Sequence, residues 1–258
     1  MNVAALMYHD IVADGSWNDS GFPGGAAASY KFDEAEFAHH VDALAASGLA
    51  FPAFPTASPP GTDTCLLTFD DGGSSALMIA RMLDARGMVG HFFVTTGRIG
   101  QRGFVNMADI KALAASGHVL GSHSHTHPRE ISALDDESLE SEWRTSVDRL
   151  AQLTGAAPKL GSVPGGFYSP RVATAAAAAG IRWLFTSEPT TRAHLVDECH
   201  VLGRFPLWRD MTPDMAVALA RGLGLVRERQ WLAWNVKKPL KRWARPLYRV
   251  ARARLLGD

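Results

Sequence analysis

The run Thr64-Cys65-Leu66-Leu67-Thr68-Phe69-Asp70-Asp71-Gly72 governs the reading of the whole chain. Six apolar or threonine residues lead without a charge into two adjacent carboxylates and a glycine. An uncharged run of this length, rich in β-formers and without strict alternation, predicts a strand covered on both faces. Its polar end is then a loop at the carboxyl end of that strand. Two carboxylates side by side cannot easily share one ligand direction, so two roles are expected. One can bind a cation while the other, kept ionised by that cation, serves as a base. For the pair alone, the plainer alternative is an acidic turn capping a helix that starts near Ser75.

Outward from this run the pattern repeats. Strands are expected at Val3–Tyr8, Thr64–Phe69, Gly90–Thr95, His118–Ser122, Leu160–Val163, Ile181–Phe185 and Val201–Phe205. Helix-period segments lie between them at Asp33–Ser47, Ser75–Arg86, Met107–Ser116, Asp135–Thr154, Pro170–Ala179 and Pro213–Leu223, and several end in a glycine suited to a left-handed cap. Strand and helix alternating in this way imply parallel strands with right-handed crossovers. About seven such units predict an α/β fold, an irregular (β/α)7-type barrel over residues 1–226. Reactive residues then belong on the loops at the strands' carboxyl ends. Tyr8-His9-Asp10, Asp70-Asp71-Gly72, His123 to His127 and Pro164-Gly165-Gly166 all fall there.

The second chemical motif is Ser122-His123-Ser124-His125-Thr126-His127. Three histidines in five residues after a strand are hard to explain as core packing. His123 and His127 with one carboxylate make a two-histidine, one-carboxylate donor set with positions left for water and substrate. Such a set suits Zn²⁺, with Co²⁺, Ni²⁺ or Fe²⁺ as alternatives. His125 is expected to point elsewhere. His91, inside an apolar strand, reads as a hydrogen-bonded core residue.

Together, Thr-Phe-Asp-Asp-Gly at 68–72 and His-Ser-x-x-His at 123–127 resemble the paired signature of the polysaccharide deacetylases, the NodB-like carbohydrate esterases. The resemblance runs from about Leu6 to Phe205 and implies the NodB-like deacetylase barrel. It implies Asp70 as general base and Asp71, His123 and His127 as metal ligands. It implies hydrolysis of an N-acetyl, or sometimes O-acetyl, group on a sugar, with a backbone N–H of Pro164-Gly165-Gly166 helping to hold the oxyanion. Elsewhere the chain departs from the family pattern. Where the family has Arg-x-Pro-Tyr-Gly, this chain has Ser162-Val163-Pro164-Gly165-Gly166, so the arginine that orients the base is missing. The acidic-tryptophan motif is replaced by Thr186-Ser187-Glu188-Pro189, and the last motif's histidine by Arg204. An arginine gives up no proton near neutral pH. Arg204 is therefore expected to stabilise negative charge or to stand in for the lost arginine beside Asp70. The general acid must come from elsewhere, and His9 is the first candidate, ahead of His194 and His200.

Composition bounds the rest. The chain of 258 residues is 47% hydrophobic and 20% charged, which excludes a disordered chain. Cys65 and Cys199 match no metal or redox spacing and are expected as free thiols. Net charge is zero, but residues 227–258 carry ten Lys/Arg against two acids, and residues 1–226 carry 16 against 24. This basic, tryptophan-containing tail is amphipathic in pattern and is the second expected unit. Two readings stay open for it: peripheral contact with an anionic membrane, or packing across the acidic barrel. An acidic body without a nucleic-acid module argues against nucleic-acid binding. With no signal-like start and no spanning run, the expected location is the cytoplasm, at the inner membrane face if the tail binds lipid. The expected substrate is then an acetylated sugar or glycan, lipid-linked in that setting. The competing functions are a metal-dependent amidohydrolase acting on a non-sugar amide or imide, and a degenerate barrel that binds metal or glycan without turnover.

Overall fold

The computed structural model describes residues 2–13, 15–55 and 63–243, with the backbone alone over 237–243. The basic tail beyond residue 243 lies outside the described residues. Strands β1 (Ala4–Tyr8), β2 (Ile11–Val12), β3 (Phe32–Asp33), β4 (Cys65–Phe69), β5 (Gly90–Val94) and β6 (Val119–Ser122) come from the first half. They are followed by β7 (Leu160–Ser162), β8 (Trp183–Phe185), β9 (His194–Val196), β10 (Cys199–Leu202) and β11 (Phe205–Pro206). The helices are α1 (Gly25–Ala28), α2 (Glu34–Ala46), α3 (Ala76–Asp84), α4 (Met107–Ala115), α5 (Asp136–Thr154), α6 (Pro170–Ala178), α7 (Pro213–Arg221) and α8 (Val226–Trp243). Local chemistry accounts for their limits. Asn106 and Asp109 form a reciprocal capping box on α4, and Asp135 caps the Ser138 amide at the start of α5. Gly155 ends α5 with a left-handed φ of 81°.

Nine strands form one sheet in the order β11-β1-β4-β5-β6-β7-β8-β10-β9, parallel throughout except for the antiparallel edge pair β9–β10. The sequence reading expected one strand over Val201–Phe205. It is instead two, β10 and β11, separated by Gly203 and Arg204. These two strands pair with β8 and β1 respectively, far apart in the sheet order. A two-residue step can join them only if the sheet curls until its ends nearly meet. The irregular barrel is therefore a curled sheet whose seam is Gly203-Arg204. Glycine is required at the first seam position, because a Cβ there would collide with the Glu188 carbonyl and Thr190.

Alternation along β4 sorts the core. Cys65, Leu67 and Phe69 face the helices, where Phe69 stacks between Tyr8 and Phe92 at ring distances of 5.6 and 5.0 Å. Leu66 lies in a separate cluster with Ala5, Phe93, Leu160, Phe185 and Leu202. Thr68 and Asp70 continue that inner face toward the carboxyl end.

Candidate metal and catalytic site

Asp70 follows the inward-facing Thr68, and the seam residue Arg204 meets it from the opposite side. Arg204 Nη1 donates to Asp70 Oδ1 at 2.7 Å and Nη2 to Oδ2 at 2.8 Å. Its remaining N–H groups donate to Thr68 Oγ1, Ser162 Oγ and the Thr186 carbonyl. All five guanidinium donors are thus used. Arg204 is 0% exposed and Asp70 4%. Burial alone would raise the Asp70 carboxyl; the charge and hydrogen bonds of Arg204, with His123 and His9 adding to them, together outweigh it and hold the group below the usual carboxylate range. Of the two roles expected for Arg204, the geometry favours the partner of Asp70. Ser162 stands where the family pattern has arginine, and its small side chain donates to Asp70 Oδ2 and accepts from Arg204.

Asp71 breaks the strand's alternation. Its φ of 76° is in the left-handed region, as are those of Ser124 (61°) and His127 (58°). Three of the four such non-glycine residues among the described ones sit in these two loops, a concentration of backbone strain of the kind found at functional sites. The result brings Asp71, His123 and His127 together, with one ligand atom of each within 4.8 Å of the others. His123 Nε2 and His127 Nε2 stand 3.4 and 3.6 Å from Asp71 Oδ1. Ligands about 2.1 Å from a tetrahedral ion lie about 3.4 Å apart, so the set fits Zn²⁺ or a similar cation.

The nitrogens are also correctly presented. His123 Nδ1 lies 3.0 Å from the Ser162 carbonyl, which can only accept, so Nδ1 carries a proton and Nε2 is the nitrogen turned toward Asp71, where it would bind a metal on giving up its own proton. Burial and the neighbouring His123 push His127 down to about 4, leaving it in the neutral, ligating form. For Asp71, burial is overcome by the His123 bond and nearby His9, and the carboxyl stays far down as an anion. The His127 ring packs against Phe22 at 4.5 Å.

His9 lies close enough to Asp71, Asp70, Arg204 and His123 to feel the charge of each, and its ring packs on Tyr30 at 4.8 Å. Its Nδ1 is buried and has no hydrogen-bond partner among the described residues. Burial lowers its pKa, against the pull of the two aspartates. Pro164-Gly165-Gly166 forms a tight turn two residues past Ser162, with left-handed φ values of 63° and 71° at the glycines. That places the turn at the same barrel end as Asp70.

Other candidates lie elsewhere. His125 turns away and pairs with Thr96 Oγ1. His194 sits 3.3 Å from the Tyr168 hydroxyl on edge strand β9, and His200 stacks on Trp183. His91 is a satisfied core residue between the Leu67 carbonyl and the Phe54 amide. Cys65 and Cys199 are buried free thiols. One contributor, Glu142, had no sequence signal, and a second, Asp10, stood in the expected loop after β1 without an assigned role. Glu142 on α5 accepts the amides of His125 and Thr126 and the Thr126 hydroxyl, fixing the turn between the two metal-set histidines. Buried Asp10 accepts from Ser20 and Ser75 at 2.7 Å each, in space that Gly21 and Gly73 leave open.

Comparison with known proteins agrees with this geometry. The polysaccharide deacetylase family model matches residues 57–184. No curated protein sequence matches the chain. Among solved structures, the deacetylase PplD of Streptococcus pyogenes, in complex with acetate, has a TM-score of 0.70 at 16% identity, covering 85% of this chain and 98% of its own. A polysaccharide deacetylase from Bacillus cereus has a TM-score of 0.70 at 18% identity, covering 84% and 69%. IcaB from Ammonifex degensii has a TM-score of 0.67 at 22% identity, covering 85% and 97%. At these identities the likeness is one of fold. About half of the chain, including the paired carboxylates and the histidine motif, thus matches the polysaccharide deacetylase family, and the curled barrel that holds them is the fold of that family's solved members.

Proposed function

We propose that the chain hydrolyses acetyl groups, N-acetyl in the first place, from a sugar or glycan with the help of a divalent metal, Zn²⁺ by preference. The observation that carries this reading is the buried, fully bonded Asp70–Arg204 pair set directly beside the Asp71, His123 and His127 donor set. A purely structural metal site has no use for a second, separately held carboxylate. Asp71, His123 and His127 would hold the ion. Bound there, it supplies a Lewis acid that polarises the acetyl carbonyl and acidifies water.

The chain's own residues then do the proton work. Asp70, ionised and aimed by Arg204, takes a proton from the attacking water. The new C–O bond makes a tetrahedral carbon, whose oxyanion a backbone N–H of Gly165 or Gly166 helps to hold. The C–N bond then breaks, and His9, in its protonated form, gives its proton to the leaving amine. Acetate and the free amino sugar are the products. The basic tail supports a lipid-linked form of the glycan.

The test measures metal content and acetate release on one preparation, for wild type and Asp70→Asn, with acetylated chito-oligosaccharides as substrate. One metal per chain in both proteins, with acetate released by the wild type alone and abolished by chelator, supports the reading. Bound metal without acetate from any sugar overturns it.

A further inference from the structure

Helix α8 has two opposite faces, and only one is used by the barrel. Arg227 donates to the carbonyls of Leu219 and Ala220 and lies over the Phe205 ring at 4.9 Å. Gln230 donates to the Pro206 carbonyl at 2.8 Å. The Trp234 ring comes within 3.4 Å of where a Cβ on Gly166 would stand. Residues 227, 230 and 234 follow the three- and four-residue helical step, so they define one inner stripe. That stripe packs against seam strand β11 and the candidate oxyanion turn.

Among the described residues the opposite stripe is exposed and mainly apolar, with Arg229 as its one charged member. Leu225, just before the helix, and Leu232 and Val236 within it are 63%, 58% and 60% exposed, and Leu223 is exposed beside them. Steps of seven and four place 225, 232 and 236 on one line, half a turn from the inner stripe. Trp231, also exposed, lies between the two stripes, on the side nearer Arg227 and Trp234. Eight Lys/Arg follow within residues 237–258, against Asp258 as the one acid. No helix among the described residues is long and apolar enough to cross a membrane.

We propose that the outer stripe of α8 docks the protein on an anionic lipid surface and so sets the turn at Gly165-Gly166 on the side of the barrel that meets that surface. An exposed apolar line that carries an arginine and is followed in sequence by cationic residues is the chemistry of an interfacial helix. The charge argues for anionic lipid over the same stripe of a second copy, which would bring two equally basic segments together. Resting on the deacetylase reading, this deepens it. The substrate is an acetylated glycan anchored in the lipid, reached from the side where α8 meets the catalytic end of the barrel.

The test compares wild type with the double variant Leu232→Glu/Val236→Glu. These side chains point to solvent, and hydrolysis of a soluble acetylated oligosaccharide and the thermal melt should be unchanged. The wild type should co-sediment with phosphatidylglycerol vesicles, at least tenfold more weakly with phosphatidylcholine, and be released by high salt. The double variant should bind phosphatidylglycerol at least tenfold more weakly and release acetate at least tenfold more slowly from a lipid-linked acetyl sugar in those vesicles. Equal binding by variant and wild type, equal binding to both lipids, or a wild-type dimer that the substitutions dissolve would each overturn the proposal. Vesicle binding by Asp70→Asn is read separately from acetate release, so failure of the deacetylase reading leaves the docking result standing.

Discussion

Replacing Arg204 with methionine removes the guanidinium but keeps much of its length, and it tests the catalytic centre most directly. The loss is larger than one salt bridge. Asp70 is left buried without its counter-charge, and Thr68 Oγ1, Ser162 Oγ and the Thr186 carbonyl each lose a donor. Removing one member of a buried ion pair costs about 3–5 kcal/mol. For a chain of this size each 1 kcal/mol moves Tm by about 2–4 °C, so a fall of roughly 6–20 °C is expected. Acetate release should be lost with it, because a base without its orienting partner is neither held in place nor kept ionised. The companion is Asp70→Asn/Arg204→Met, which removes both charges. Its activity should also be nil, but its stability should recover to within about 2 kcal/mol of wild type, since a neutral buried site carries no unpaired charge. The assays are urea unfolding and acetate release on all three proteins. A single variant that loses under about 1 kcal/mol, or a double variant as unstable as the single, would refute the view that Arg204 is the buried partner of the base.

Three further outcomes follow from the same geometry. His9→Gln should slow release from N-acetyl sugars, which need the amine protonated, far more than release from an activated aryl acetate; equal slowing of both would remove His9 as the acid. Glu142→Ala, which frees two amides and a hydroxyl in the turn between His123 and His127, should weaken Zn²⁺ affinity about 10–100-fold by metal titration, in line with loss of an outer hydrogen-bond partner. Burial, with Asp71 adding to it, pushes Asp10 up to about 6 against the pull of its serine bonds and Lys31. A pKa raised on folding gives stability that is complete below about pH 4 and lost as pH rises through about 6, about 3 kcal/mol for a shift of about two units. In metal-free protein, the stability of Asp10→Asn relative to wild type should therefore rise by that order between pH 4 and pH 7.5, and a constant difference would contradict it.

Most of the barrel was legible because its strands are uncharged apolar runs and its helices carry clear caps. Gly90–Thr95, Leu160–Val163 and Met107–Ser116 are each met to within one residue by β5, β7 and α4. The clustering of His123 and His127 with Asp71 was legible because histidines after a strand have few structural uses. What escaped the sequence depends on closure in three dimensions. Val201–Phe205 reads as one strand because a period-two pattern carries no record of where a sheet curls, so the seam at Gly203-Arg204 was invisible. From the sequence Arg204 reads only as a departure with two open roles, because its partner Asp70 is 134 positions away. Glu142 lies on a helix rich in charge, where one more carboxylate looks solvated. Strand β9 is only three residues long, and its residues are exposed or half-buried, with no apolar run to mark it.

The seam has a consequence for ancestry. A search that demands arginine at the end of β7 would discard this chain, although Asp70 holds the same kind of partner, delivered from across the barrel. The small Ser162 and the long Arg204 fit one another: the two side chains are hydrogen-bonded, and both donate to Asp70. Two arginines would crowd and repel there, and none would strand the carboxylate. Among descendants of this barrel, a large cation at one of these two places should therefore coincide with a small or neutral residue at the other. A lineage could cross between the two arrangements only through a crippled intermediate or by changing both positions nearly together.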